Sequence, residues 1–303
     1  MRRFRELTDL LTVHRPVAAA AAAAVAAALV AGCGSVAATT AAPGTSGSAG
    51  PCGTPPGSAA PSGQGGVRIT AAGPACAEYE VTNPGSEPSD VTVVFSRLSA
   101  DGGALDNVTR TVPAIAPGAT VTATVDLGGR ETTRAGTGPR VKILRVRRVP
   151  SAEAPQPAGP CPASGLRLYA DEGDAAMGLR VVGLHLRNCG STTVTVNGYP
   201  KLQLLDLEHR PIDGVRILPG GAEITTGTGA DDPPQEIALQ PGQGARSTLV
   251  WRNTTQDGAP VNAPYVRVRA FPDAAPVMVT PELDLGTTGR LGVGAWTREG
   301  GSA

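Results

Sequence analysis

Beyond Gly32, no stretch of this 303-residue chain keeps helical periodicity over ten residues. What recurs is alternation with period two. Val121-Thr122-Ala123-Thr124-Val125-Asp126-Leu127 switches strictly between apolar and polar. Val182, Leu184 and Leu186 alternate with Gly183, His185 and Arg187, and Val266, Val268 and Ala270 alternate with Arg267 and Arg269. Val91-Thr92-Val93-Val94-Phe95 and Val141-Lys142-Ile143-Leu144-Arg145-Val146 have the same character. Period two places one face of a strand on a core and the other in water. Turn signals separate these runs: Asn83-Pro84-Gly85, Asp101-Gly102-Gly103, Ala116-Pro117-Gly118, Asn188-Cys189-Gly190, Asp213-Gly214 and Gln240-Pro241-Gly242. Short strands joined by Gly/Pro turns predict an all-β fold of antiparallel sandwiches.

Composition divides the chain. Residues 34–66 are Gly, Ser, Ala, Thr and Pro with almost no bulky apolar side chains, which cannot bury enough surface to offset the entropy of ordering. Residues 33–66 are therefore expected to be a disordered tether spanning about 30 Å root-mean-square. A second break, 150–160, is rich in Pro and reads as a semi-rigid linker. Two pieces remain, 67–149 and 161–298, with a short tail at 299–303. Each has a strand ending in Asn-x-Gly, then a strand, a Pro-Gly turn (Pro117-Gly118; Pro241-Gly242), a further strand and a late Val/Arg strand. The repeated order predicts tandem immunoglobulin-like sandwiches.

The N-terminus carries an address. Arg2, Arg3, Arg5 and Arg15 precede an apolar, alanine-rich run from Val17 to Val30, followed by Ala31-Gly32-Cys33. The arrangement resembles the lipobox of secreted bacterial lipoproteins. A transmembrane helix needs ~20 apolar residues, and this run is shorter and mostly Ala. The resemblance implies cleavage after residue 32 and lipidation of Cys33, which would tether the chain to the outer face of the cell membrane. Stable anchoring takes two or more acyl chains.

Basic and acidic residues balance, 26 against 26. Cleavage would remove Arg2, Arg3, Arg5, Arg15, Glu6 and Asp9, leaving 22 basic against 24 acidic residues. A near-neutral chain lacks the basic stripe that nucleic acid requires. With Cys33 assigned to lipid, Cys52, Cys76, Cys161 and Cys189 remain, an even number that favours disulfides outside the cytoplasm. Three connectivities are possible. The local one, Cys52–Cys76 and Cys161–Cys189, puts one bridge in each half, each stabilising by ~3 kcal/mol in the chain-entropy picture. The alternative use, a zinc site, lacks a CxxC pair or a nearby His at zinc spacing.

Catalytic chemistry is sparse. His185 lies on the polar phase of a strand and His209 in the turn Glu208-His209-Arg210-Pro211, and there is no Gly-x-Ser-x-Gly elbow. Asp171-Glu172-Gly173-Asp174 has oxygen ligands but not the spacing of a calcium loop, and Asp231-Asp232-Pro233-Pro234 reads as a solvated loop. No glycine-rich loop opens a helix to hold phosphate. No catalytic residue, metal or cofactor is assigned. Trp251 falls on the apolar phase with Leu249 and reads as core, with an exposed ligand platform as the alternative.

The second half carries a specific pattern: Cys161; Leu184-His185-Leu186-Arg187-Asn188-Cys189-Gly190; Val196-Asn197-Gly198-Tyr199-Pro200; Leu204-Leu205-Asp206. Leu239-Gln240-Pro241-Gly242, Leu249-Val250-Trp251-Arg252-Asn253 and the tail Leu283 to Leu291 follow in order. Over about 161–298 this resembles the DUF4232 family, whose members are secreted or lipid-anchored β proteins of actinobacteria with no established activity. Its motif positions here are Asn197, Gly198, Tyr199, Pro200 and Trp251. Many members carry a cysteine just before the Gly-Tyr-Pro segment. Here Thr195 and Val196 stand there, and Cys189 lies earlier. Tyr199 could close a tyrosine corner through its hydroxyl or be an exposed binding aromatic. The first half matches no recognisable family.

The expectation is a lipid-anchored cell-envelope protein that is not an enzyme, an interaction module for an envelope protein or a cell-wall polymer. A small-molecule or metal-binding lipoprotein is the alternative, and an envelope hydrolase the second alternative.

Overall fold

The structure, a computed structural model, describes Cys52 and residues 63–73, 75–99, 101–128 and 140–300. Cys33, its signal segment and most of the expected tether lie outside the described residues. The first half consists of β1 (Gly63–Gln64), β2 (Val67–Ala72), β3 (Cys76–Thr82), β4 (Ser89–Leu98), β5 (Ala104–Ile115), β6 (Thr120–Asp126) and β7 (Arg140–Pro150). One sheet runs β1-β2-β3-β6 and the other β5-β4-β7. The alternation does what it predicts. Ala77, Tyr79 and Val81 of β3 and Val91, Val93 and Phe95 of β4 are fully buried in one core. The two residues Gly63 and Gln64, placed by composition in the tether, pair with Arg68 and Val67 as a hairpin strand. Backbone pairing holds them where side chains could not.

The second half begins with β8 (Leu166–Ala170), β9 (Asp174–Ala176), β10 (Leu179–Asn188), β11 (Val194–Val196) and β12 (Lys201–Leu205). It continues through β13 (Arg216–Pro219), β14 (Ile237–Leu239), β15 (Gly244–Arg252), β16 (Asn262–Ala263) and β17 (Tyr265–Arg269). β18 (Val277–Val279), β19 (Leu283–Asp284), β20 (Arg290–Val293) and β21 (Thr297–Arg298) complete it. The main sheet is ordered β13-β20-β15-β10-β8, with β9 on β10 and β21 on β15, and opposite it stand β12-β17-β18 and β11-β14. Every pairing is antiparallel except β13–β20. Trp251 and Trp296 fill the core between these layers, with Leu184, Leu186 and Val268. The one helical element among the described residues is a 3₁₀ turn at Ser151–Glu153.

The halves repeat one plan. The sheet order β2-β3-β6 is matched by β8-β10-β15, the pairing β4–β5 by β11–β14, and β4–β7 by β12–β17. A buried asparagine closes β3 and β10 in the same way. The Asn83 Nδ2 donates to the carbonyls of Glu87 and Ile115, both at 2.8 Å, and its Oδ1 accepts from the Gly85 N–H at 3.0 Å. The Asn188 Nδ2 donates to Thr192 and Leu239, both at 2.8 Å, and its Oδ1 accepts from Gly190 at 3.0 Å. The Pro-Gly turns then return to these residues, Gly118 N–H to the Asn83 carbonyl and Gly242 N–H to that of Asn188. Both asparagines are fully buried with their side-chain bonds made, which is how a polar group survives in a core.

The disulfides are Cys52–Cys76 and Cys161–Cys189. They are not part of the repeat: Cys76 opens β3, whereas Cys189 follows the end of β10.

The halves meet along β7. Val149 of β7 forms a small core with Leu205, Tyr265 and Met278. The Arg148 N–H donates to the Tyr265 hydroxyl at 3.0 Å. Arg147 grips Glu282 with two bonds, Nε to Oε1 at 2.6 Å and NH2 to Oε2 at 2.5 Å, and Arg145 approaches the same carboxylate at 3.3 Å. The segment read as a spacer is docked on both sides. Ser151 Oγ donates to Asp90 at 2.5 Å, and Glu153 accepts from Arg267 at 2.7 Å. Burial pushes the Tyr265 phenol above its ordinary pKa and the Arg148 guanidinium below its own.

Candidate functional site

The junction leaves a groove of about 830 Å³ open between the halves. Its floor is the outward face of the β5-β4-β7 sheet. Thr92 and Val94 alternate with the buried Val91, Val93 and Phe95, and they pair across with Thr111 and Thr109 of β5. Asn107 lies one pair further along, opposite Ser96. The floor therefore offers hydroxyls and an amide without charge. Along one rail stand Arg145 and Arg147, both committed to Glu282. Glu282 has a left-handed backbone, φ 55°, which few non-glycine residues adopt.

The opposite wall is built from β8, the loop to β9, and β10. Tyr169 stacks flat on His185 across the β8–β10 pair, with ring centroids 4.9 Å apart and planes 10° apart. His185 is pinned from both sides: Nδ1 lies 2.5 Å from Glu299 Oε1 and Nε2 lies 3.1 Å from Asp171 Oδ2. Arg246, the partner of His185 on β15, reaches the same Asp171 oxygen at 3.4 Å. Two glycines make the space. A Cβ on Gly183 would run into the Asp171 carboxylate, and one on Gly244 would come within 2.5 Å of Glu299 Oε2. The other Asp171 oxygen accepts from the N–H groups of Gly173 and Gly183. Glu172 and Asp174, both exposed, have no side-chain partner among the described residues.

Deeper in the wall, Trp251 Nε1 donates to Asp284 Oδ1 at 2.7 Å, and Asn253 and Arg180 approach Oδ2. Trp251 is buried, as its apolar phase implies, and it also lines the groove. Asn197 is exposed, Gly198 has φ 74°, Tyr199 is half-buried and Pro200 is buried just before β12. None of these four lines the groove. The corner bond considered for Tyr199 is not made, since its hydroxyl has no partner among the described residues. The turn is held instead by the Trp296 N–H on the Gly198 carbonyl at 2.8 Å. His209, in its turn with φ 60°, meets the Tyr265 ring edge-on at 4.5 Å.

Asp171 is not arranged as a cation ligand: its oxygens are taken by backbone N–H groups, His185 and Arg246. No group of three or more His, Cys, Asp or Glu side chains among the described residues is placed to hold a metal ion. Tyr169, Glu299 and the threonine floor are residues that reading the sequence did not single out. The signals were slight: Thr92, Thr109 and Thr111 on the outward phase of two strands, and Gly183 on the polar phase of another.

The stretch from Cys161 through the β21 strand is the part that known proteins illuminate. Residues 161–297 match the family model described as a domain of unknown function, DUF4232. The DUF4232 region thus covers the second half as far as Thr297, including Tyr169, His185 and Trp251, and leaves Glu299 and the groove floor outside it. No curated protein matches the chain, and no solved structure does.

Proposed function

We propose that this chain is a lipid-anchored, extracytoplasmic binding module of the cell envelope without catalytic activity, and that the groove between its halves is the binding site. The observation that carries the reading is the groove itself. It is walled by both halves, and its width is set by a hydrogen-bonded and partly buried junction, so the site is formed before any ligand arrives. Its volume falls in the ~300–1,000 Å³ range of ligand sites. Hydrolysis is the weaker reading because His185 has both ring nitrogens turned to carboxylates, leaving neither to activate a nucleophile. The basic n-region, the apolar run and Cys33 support the anchor.

Two experiments test this. Cys33→Ala should leave the chain unlipidated and lost from the membrane fraction; normal anchoring of that variant sinks the lipoprotein assignment. A photo-reactive residue at Thr109, on the groove floor, should cross-link in cells to a recurrent envelope component. The same probe at Ile217, an exposed position away from the groove, should not. Equal capture at both positions removes the groove as the site.

A further inference from the structure

We infer that the groove takes a neutral, hydroxyl-rich glycan segment, with Tyr169 as the surface on which a sugar ring stacks. This names the ligand class for the binding role proposed above and rests on that role.

Three features converge on it. The first is the platform. Tyr169 lies on the edge strand of its sheet, lines the groove, and has one ring face covered by His185. His185 cannot swing away, because Asp171 and Glu299 hold its two nitrogens and fill the spaces above Gly183 and Gly244. An aromatic ring fixed in this way offers its electron-rich face to the C–H groups of a sugar without losing rotamer entropy on binding. A fold that only needed to fill this surface would not require two glycines, two carboxylates and an imidazole to hold one tyrosine.

The second feature is the supply of unpaired polar groups. Asn107 and Thr109 on the floor both donate and accept, and Glu172 and Asp174 on the wall accept without being engaged by the described residues. Sugar hydroxyls, each a donor and an acceptor, suit such a mixture.

The third is charge. Arg145 and Arg147 are spent on Glu282, and Arg180 lies 3.7 Å from Asp284. An anionic ligand would have to break these pairs and face Glu172 and Asp174. A neutral polar chain displaces none of these ion pairs and brings no charge to desolvate.

The test uses the full-length lipoprotein in detergent micelles. Neutral hexasaccharides of gluco-, manno-, galacto-, arabino- and N-acetylglucosamine type are titrated while tryptophan fluorescence and heat are followed. At least one should bind saturably. Tyr169→Ala should weaken it about tenfold or more, and Tyr169→Phe should stay within about threefold. Raising salt from about 0.05 to 0.5 M should change the affinity less than about twofold, as expected for a neutral ligand. The inference is overturned if none of the hexasaccharides saturates, or if binding is indifferent to Tyr169→Ala. The Thr109 cross-link separates the two levels. Specific capture of an envelope protein there, with no sugar bound, keeps the groove and removes the glycan. Absence of both removes the groove as well.

Discussion

Three residues before the buried asparagine, at equivalent places in the two sheets, the first half carries Glu80 and the second His185. Glu80 faces Arg68 across the β2–β3 pair and forms an exposed ion pair with it at 2.6 Å. His185 faces Tyr169 across β8–β10 and stacks on it. The third strand supplies Thr122 in one half and Arg246 in the other. One scaffold thus supports two unrelated surfaces. An exposed ion pair stabilises a sheet by less than ~1 kcal/mol, so the fold gains little from the Arg68–Glu80 pair. What the scaffold requires is what the halves share: the alternating core, the asparagine that closes the strand and the Pro-Gly turn that returns to it. What they do not share is the pinned Tyr169–His185 stack and the Trp251–Asp284 bond, which give the second half its own groove wall.

The comparison breaks most decisively at the asparagines. Asn188→Ala strips donors from two buried carbonyls and the acceptor from one N–H, and Asn83→Ala does the same in the first half. Each should cost about 3 kcal/mol. Equal losses in urea denaturation would establish the two sites as one device used twice. Tolerance of either variant would show that the resemblance of the halves is only one of outline.

Glu282 tests whether the halves act together. Glu282→Gln leaves Arg145 and Arg147 without their carboxylate and should cost about 1–2 kcal/mol, less than a fully buried pair because all three side chains keep some contact with water. Calorimetry should show one unfolding transition in the natural protein and two in the variant. A single transition that merely moves down would mean that the small core around Val149 is enough to couple the halves.

Tyr265 sharpens the same point through pH. Burial raises its pKa, partly opposed by the Arg148 N–H bonded to its oxygen and by Arg147 and Arg148 nearby. The folded protein therefore keeps the phenol protonated where the unfolded chain has begun to lose its proton. This contribution is whole below ~10, the ordinary tyrosine pKa, and is lost as pH rises through the higher folded value. Tyr265→Phe should cost about 1 kcal/mol at neutral pH, by orphaning the Arg148 N–H, and should flatten the alkaline fall in stability. An unchanged alkaline limb would assign that fall to other groups. Tyr79, buried in the first core with its pKa also raised, is the first to examine.

Much of the scaffold was legible because it rests on local rules. Val121 to Leu127 and Val182 to Leu186 announce their buried faces, and Asn83-Pro84-Gly85 and Asn188-Cys189-Gly190 announce the turns. Four cysteines announced two disulfides but left three connectivities open, and the local one is the one formed. The site was much less legible. The groove exists because β7 runs on into a docked 150–160 segment, and that docking depends on Arg147 finding Glu282, 135 residues away. Composition alone read the Pro-rich segment as a spacer, since nothing local to Ser151 or Glu153 reveals Asp90 or Arg267 as partners. His185 was visible as a polar residue on a strand, but its meaning depends on Glu299 in the tail, 114 residues on.

The smallest expected effect concerns the hairpin that borders the groove. β9 and β10 are joined by Met177-Gly178, with φ 48° and 80°, the two-residue turn in which both central residues have positive φ. Such turns favour Asn-Gly, because asparagine tolerates this conformation better than other side chains. Met177 is nevertheless there, and it is 99% exposed, so no packing offsets its backbone strain. Met177→Asn should therefore stabilise the protein, by about 0.5 kcal/mol, with groove binding unchanged. Ala175, two residues away, already lines the groove. If the variant gains stability and loses affinity, the methionine is a contact for the ligand or its carrier. The second half would then differ from the first not only in what its sheet displays but in a strained turn kept for binding.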